Sequence, residues 1–186
     1  MAQILITLLL TVFYLEADSA FKVKSLRELK YQDVVPQTYE ESCGASSLAT
    51  LLNSYGENIS EKDLINDFNT TDMVNFLDIQ SVAVKKGFKA KGYKITKEVF
   101  DQLSIPVIAR VLRHKEYPHF IVVQNLKGDF VLSLDPSNGK TIITKNEFYS
   151  VWNHEDNGYI LIVIPEDTKK MLKKVEFLNS SKILHR

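Results

Sequence analysis

Cysteine, glycine and proline are scarce in this chain. Its 186 residues include one cysteine, Cys43, so no disulfide can form within the chain, and the seven glycines and five prolines occur singly, without a repeat or a low-complexity linker. Charge of one sign is not in excess either, because 23 basic residues balance 23 acidic ones. Nucleic acid is therefore not expected as a partner. With 45% apolar residues, the composition predicts one globular domain.

Long hydrophobic runs are also rare. One apolar stretch, residues 4–15, is shorter than the roughly 20 residues that span a bilayer, and the small residues Ala17 and Ser19 after it are typical of a cleavage site. We therefore predict a signal peptide over residues 1–19 and an exported protein, periplasmic or extracellular. The segment has no early Lys or Arg, so an uncleaved membrane anchor over residues 1–16 or a core helix is the alternative. Membrane contact is expected through this segment only.

The first half of the chain has helical periodicity. Apolar residues at three- and four-residue spacing follow the cysteine, at Leu48, Leu51, Leu52 and Tyr55. Two shorter segments with the same periodicity come after it. The predicted helices are 43–55, 60–66 and 71–86, with caps at Ser60 (paired with Asp63) and at Thr71 or Asp72, and with stops at Gly56 and Gly87.

The second half of the chain has the sequence pattern of a β-sheet. Short runs rich in β-branched residues alternate with turn residues, among them Lys127-Gly128 and Ser137-Asn138-Gly139. Helices followed by such strands indicate an α+β fold, with N-terminal helices packed on an antiparallel β-sheet, in a domain over residues 28–166. Residues 167–186 are expected to form a helical or frayed C-terminal tail. The predicted strands are 88–95, 105–112, 119–125, 129–136, 140–144 and 158–164, and a brief helix is predicted over 96–103.

The lone thiol stands at the start of the predicted core helix. There the unsatisfied N–H groups and the positive end of the helix dipole stabilise a thiolate, and the small residues 44–47 leave room for a substrate carbonyl. Cys43 is therefore a candidate nucleophile. The other interpretations of a single cysteine are a small buried hydrophobe and an intermolecular disulfide.

A cysteine nucleophile needs partners, and three residues are candidates. His119 is the best placed histidine for a base, because it opens an apolar strand at a sheet edge. Asp135 ends the following strand, where it can orient the imidazole, although Asp before Pro is also a common turn residue. Gln37, six residues before Cys43, can supply a second oxyanion donor, and taken alone it is an ordinary solvated loop residue. The remaining histidines are expected in exposed loops or the tail: His114, His154 and His185.

Three motifs carry a resemblance to a known family. "QTYEESCGASSLATLLNSYG", "PHFIVVQN" and "LDPSNGK" occur in that order and resemble the motifs of the bacteriocin-processing, double-glycine leader peptidases, cysteine peptidase family thirty-nine. The resemblance runs from about residue 31 to 164. It implies a papain-like fold with Cys43 as nucleophile, His119 as general base and acid, Asp135 as the residue that orients it, and Gln37 as oxyanion donor.

The chain departs from the family pattern in two ways. Ser42 stands directly before the cysteine, where the family often has an acidic residue. The best-known family members are domains of ABC exporters, whereas no P-loop motif and no transmembrane bundle occur in this sequence. The resemblance therefore implies the chemistry and not the exporter's leader-peptide role, and it fits a stand-alone exported member.

These observations predict an exported cysteine peptidase. It would hydrolyse a peptide bond in a secreted or periplasmic protein or peptide, and an export system is a candidate partner. The alternatives are a peptide-binding module of the same fold that does not cleave, and a thiol acyltransferase. No cofactor or metal is expected, because the histidines are scattered and one cysteine cannot build the usual structural zinc site.

Overall fold

The structure, a computed structural model, describes residues 23–68, 70, 72–114, 117–152 and 157–167. The predicted signal peptide, residues 168–186 of the predicted tail, His154, His185 and the side chain of His114 lie outside the described residues. Among the described residues, no helix is both long and apolar enough to cross a membrane.

Helices dominate the first half, as predicted. After a short helix α1 (Leu26–Lys30) and a 3₁₀ turn (Glu40–Ser42), the three predicted helices follow: α2 (Cys43–Ser54), α3 (Glu61–Phe68) and α4 (Phe76–Lys85). Ser60 and Asp63 cap α3 by mutual hydrogen bonds, from the backbone N–H of Ser60 to the Asp63 carboxylate and from the N–H of Asp63 to the Ser60 hydroxyl.

Within the described residues, one antiparallel sheet of six strands forms the second half. The strands are β1 (Phe88–Thr96), β2 (Val107–His114), β3 (Tyr117–Asn125), β4 (Phe130–Asp135), β5 (Gly139–Thr144) and β6 (Asn157–Pro165). Their spatial order is β1-β6-β2-β3-β4-β5. A brief helix, α5 (Lys97–Asp101), follows β1 as predicted, and α6 (Lys145–Trp152) follows β5.

The sheet lies between two apolar cores. Along β2, Ile108 belongs to the core shared with α2, α3 and α4, whereas its neighbours Val107 and Ala109 belong to the core on the other face. This alternation is what a strand buried on both faces produces. On the second face, Phe100 of α5 and the stacked pair Phe148 and Trp152 of α6 complete the core.

Helix α2 lies in the first core over most of its length. Its leucines 48, 51 and 52 are fully buried, as their spacing predicts. Gly44 allows its first turn to approach the neighbouring elements, because a Cβ at this position would overlap Cγ2 of Val74. The Ser47 hydroxyl donates a hydrogen bond of 2.8 Å to the carbonyl of Phe120 in β3. The start of α2 is thus fixed against the central part of the sheet.

Two local predictions need correction, and helices α1 and α6 were not predicted. The third helix begins at Phe76, because Asn75 and not Thr71 or Asp72 caps it, with its side chain accepting from the N–H groups of Leu77 and Asp78. His114 is the last residue of β2 and does not lie in the connecting loop. Helix α6 was not predicted, although the bonds between Thr144 and Glu147 form a capping box at its start.

Candidate active site

Cys43 is the first residue of α2 and is almost completely buried, with 1% of its surface exposed. The preceding residue, Ser42, makes no capping bond to the helix, because its hydroxyl turns back to the carbonyl of Tyr39 and to Glu61. The first-turn N–H groups of α2 therefore lack a side-chain cap from Ser42. The Cys43 sulfur thus lies at the helix N-terminus, the end of the helix dipole that attracts negative charge.

His119 and Asp135 meet across two adjacent strands. Leu134 of β4 pairs with Val122 of β3, so Asp135 at the end of β4 comes close to His119 near the start of β3. His119 Nε2 lies 2.9 Å from Asp135 Oδ1. The imidazole side chain is 16% exposed, whereas Asp135 is fully buried.

The turn after Asp135 holds its carboxylate in place. Oδ1 accepts hydrogen bonds from the backbone N–H groups of Ser137, at 2.8 Å, and Asn138, at 3.3 Å. Oδ2 accepts from the Asn138 side-chain amide at 3.1 Å. The two interpretations of this aspartate are therefore not exclusive, because the same carboxylate organises a turn and contacts the histidine.

The pKa of His119 reflects both of its neighbours. Burial of the ring lowers the pKa, but hydrogen bonds with Asp135 and Cys43 and the charges of those groups raise it, so that the pKa rises from the ordinary 6.5 to about 9. The ring is thus protonated at neutral pH and faces a carboxylate and the sulfur together. A thiolate beside an imidazolium that is oriented by a third group is the arrangement of an activated nucleophile.

We expect the ring of His119 to titrate near pH 9 in a proton NMR experiment, and not near its ordinary 6.5. Because the folded-state pKa is raised, protonation stabilises the folded chain: this contribution is complete below about 6.5 and disappears as the pH rises through about 9. Asp135→Asn removes the facing charge and should lower the pKa of His119. A His119 resonance whose titration is the same in wild type and Asp135→Asn would contradict the assignment of the shift to this carboxylate.

Gln37 lies against the same turn. Its backbone N–H donates to the carbonyl of Pro136 at 3.1 Å, and its side-chain oxygen accepts from the Ser137 hydroxyl at 2.9 Å. Its amide nitrogen donates to the carbonyl of Tyr39 at 2.9 Å. The structure thus brings Cys43, His119 and Asp135 into one hydrogen-bonded set and places Gln37 beside the turn that carries Asp135.

One residue of this region was missed at the sequence level. The carboxylate of Glu61, at the start of α3, accepts hydrogen bonds from Thr38 and Ser42 across about twenty positions of the chain. In the sequence Glu61 follows the cap Ser60 and is an ordinary acidic residue of a first helical turn. The only signal was indirect, since Ser42 replaces the acidic residue that the family often has before the cysteine.

A cavity of about 240 Å³ opens beside the cysteine turn. Ser42 and Ala45 line one side, and Ile65 and Phe68 of α3 and Val74 of the segment after it contribute apolar side chains. Among the described residues no group of histidine, cysteine and acidic side chains is arranged to hold a metal ion. The full set lining the cavity is Tyr39, Glu41, Ser42, Ala45, Ile65, Phe68, Thr70, Asp72 and Val74.

Comparison with known proteins defines the class. Residues 31–177 match the model of the Peptidase C39 family, and the chain belongs to this family of cysteine-type peptidases. The α+β, papain-like fold expected from the sequence is confirmed by the solved peptidase domain of Streptococcus ComA, a bi-functional ABC transporter. That domain is 28% identical and superposes with a TM-score of 0.65 over 72% of this chain and 98% of its own length.

Two curated relatives are similar to this chain over about three quarters of its length. The "Probable functional amyloid protease FapD" of Pseudomonas aeruginosa is 33% identical over 152 residues, which cover 77% of this chain and 65% of the relative. The mesentericin-Y105 transport/processing ATP-binding protein MesD of Leuconostoc mesenteroides is 34% identical over 148 residues, 76% of this chain but only 20% of the relative. The chain therefore spans somewhat less than two thirds of the amyloid protease and about a fifth of the transporter.

Proposed function

We propose that this protein hydrolyses a peptide bond with Cys43 as nucleophile, His119 as general base and acid, Asp135 as the residue that orients the imidazole, and Gln37 as an oxyanion donor. The observation that carries the proposal is the hydrogen-bonded set in which His119 contacts both the buried thiol and, at 2.9 Å, the Asp135 carboxylate. The proposed peptidase domain is 28–166, followed by the tail 167–186.

The first half-reaction transfers the acyl group to sulfur. The Cys43 thiolate attacks the peptide carbonyl carbon, forming a C–S bond and placing the negative charge on the carbonyl oxygen. The Cys43 N–H and the Gln37 amide donate to this oxygen; the Gln37 nitrogen donates to the Tyr39 carbonyl at 2.9 Å and to the Glu40 carbonyl at 3.5 Å, and the longer bond is the one exchanged for the oxyanion. Protonated His119 then gives its proton to the leaving amine as the C–N bond breaks.

The second half-reaction releases the product. Neutral His119 takes a proton from water, which attacks the thioester, and the C–S bond breaks as the carboxylic acid forms. The thiolate and the imidazolium are restored together. Asp135 holds the ring in the same orientation through both halves, and its charge stabilises the imidazolium.

The proposed substrate is a secreted or periplasmic protein or peptide, cleaved after export to the periplasm or cell exterior. This proposal draws on two sources of support. The similar proteins are named for amyloid proteolysis and for bacteriocin transport and processing, and the cavity beside Cys43 has mainly apolar walls suited to a substrate side chain. The export system that delivers the substrate would be the partner.

The test incubates purified protein with a peptide library in which small residues, including Gly-Gly, precede the scissile bond, and identifies products by mass spectrometry. Hydrolysis in wild type and none in Cys43→Ala support the proposal. Binding of the same peptides without any cleavage would favour a binding module, and transfer of the acyl group to an added amine would favour an acyltransferase. Either outcome would overturn the hydrolase proposal.

A further inference from the structure

The carboxylate of Glu61 is buried between α3 and the loop that precedes Cys43. Its residue is 9% exposed, and three donors lie within hydrogen-bond distance of it, with the one proton of the Ser42 hydroxyl shared between Glu61 and the Tyr39 carbonyl. Oε1 lies 2.6 Å from the Thr38 N–H and 2.5 Å from the Ser42 hydroxyl, and Oε2 lies 2.6 Å from the Thr38 hydroxyl. A buried acidic side chain is costly unless such partners compensate it, so this site is specific and not incidental.

The two residues that Glu61 holds are the ends of one short segment. Thr38 directly follows Gln37, and Ser42 directly precedes Cys43. The single carboxylate therefore spans the whole segment 38–42 and fixes the distance between its two ends. The residues on either side of this segment are the two proposed oxyanion donors.

We infer that Glu61 is a positioning residue for the oxyanion site, an inference that rests on the proposed function. It contacts neither the thiol nor the histidine in the hydrogen bonds described, and it acts through Thr38 and Ser42 on the spacing of Gln37 and the Cys43 N–H. Oxyanion donors must both lie within hydrogen-bond distance of the same oxygen atom. A change in their spacing therefore reduces the stabilisation of the transition state more than that of the ground state.

Two substitutions of Glu61 distinguish the positioning of the oxyanion donors from a general role in the stability of the fold. Glu61→Ala removes all three bonds, and kcat should fall about 10- to 100-fold with a small change in KM, as expected for a loss confined to the transition state. Glu61→Gln can accept from Thr38 N–H and donate to the Thr38 hydroxyl, so it should retain kcat within about threefold of wild type. Asp63→Ala is the matched control, because this exposed carboxylate caps the same helix turn through Ser60.

Two reagents that react with Cys43 give the decisive readout. A peptide aldehyde adds to the thiol and forms an oxyanion, so its affinity for Glu61→Ala should fall by the same factor as kcat/KM. Iodoacetamide forms a C–S bond at a saturated carbon and expels iodide without any oxyanion, so its rate should not fall. Thermal unfolding of each variant checks the fold, and if Glu61→Ala does not fold, Thr38→Val and Ser42→Ala must show the same pattern.

Three results would overturn the inference. The first is a Glu61→Ala variant whose kcat equals that of wild type. The second is a Glu61→Ala variant in which aldehyde affinity and the alkylation rate fall by the same factor. The third is an Asp63→Ala variant that shows the same loss as Glu61→Ala. If wild type cleaves peptides, Cys43→Ala does not, and Glu61→Ala is as active as wild type, only this inference fails. If wild type neither cleaves peptides nor binds the aldehyde, the proposed function fails and the inference fails with it.

Discussion

His119→Ala should lower kcat/KM for peptide hydrolysis about 10³- to 10⁴-fold near neutral pH, the largest kinetic effect that we expect apart from loss of the nucleophile itself. The variant loses the proton donor for the leaving amine and the positive partner of the thiolate at once. The measurement is kcat/KM on a peptide that wild type cleaves, together with the rate of Cys43 alkylation by iodoacetamide.

Two substitutions of Asp135 should lower the activity by different amounts. Asp135→Ala should approach the loss seen for His119→Ala, because the ring loses both its charge partner and its orientation. Asp135→Asn retains an amide oxygen that can accept from the imidazole, as in Cys-His-Asn peptidases, so its loss should be smaller than that of Asp135→Ala. Full activity in His119→Ala would mean that another group supplies the proton and that the site is assigned wrongly.

Gly139→Ala should have the largest effect on stability that we expect from a single added methyl group. Gly139 has a φ of +80°, and a Cβ there would overlap the carbonyl oxygen of Lys30 at the end of α1. It also pairs with Asp135 across the β4–β5 turn. We expect a loss of more than about 3 kcal/mol in the free energy of unfolding, from backbone strain plus displacement of α1.

Gly128→Ala is the matched control for this prediction. Gly128 has a similar φ of +77°, but no atom lies within 4 Å of the position that a Cβ would take there. It should therefore show the backbone strain alone, about 1–2 kcal/mol. Urea unfolding measures both variants, and hydrolysis should fall only in Gly139→Ala, because its turn carries Asp135. Equal destabilisation of the two variants would show that α1 moves away from the added methyl group without a loss in the free energy of unfolding, which would contradict the prediction.

The course of the chain could be predicted where local chemistry and tertiary packing agree. The leucine spacing after Cys43 and the glycine turns between strands required no distant partner, and those elements occur as predicted. The cap of α4 was misplaced because Asp72 and Asn75 are both good cap residues, and only the register of the helix against the core selects Asn75. Helix α6 was missed because its aromatic residues, Phe148 to Trp152, are equally common in strands.

Some residues of the candidate site could likewise be predicted from the sequence, whereas one could not. Cys43, His119, Asp135 and Gln37 could be selected because each belongs to a motif with an order along the chain, and their chemical roles remain proposals. Glu61 could not be selected, because its partners are about twenty residues away and an acidic first turn is common in helices. A residue that acts only through long-range hydrogen bonds leaves no local pattern, so it requires the structure.

The site also joins the two halves of the fold. Cys43 comes from the helical layer, whereas His119 and Asp135 come from the sheet, and the first core lies between these two layers. The distance between sulfur and imidazole therefore depends on the docking of one layer on the other. Partial separation of the layers would disable catalysis while every helix and strand still kept its own backbone hydrogen bonds. Loss of activity on heating or in denaturant is therefore expected to report the loss of this tertiary packing.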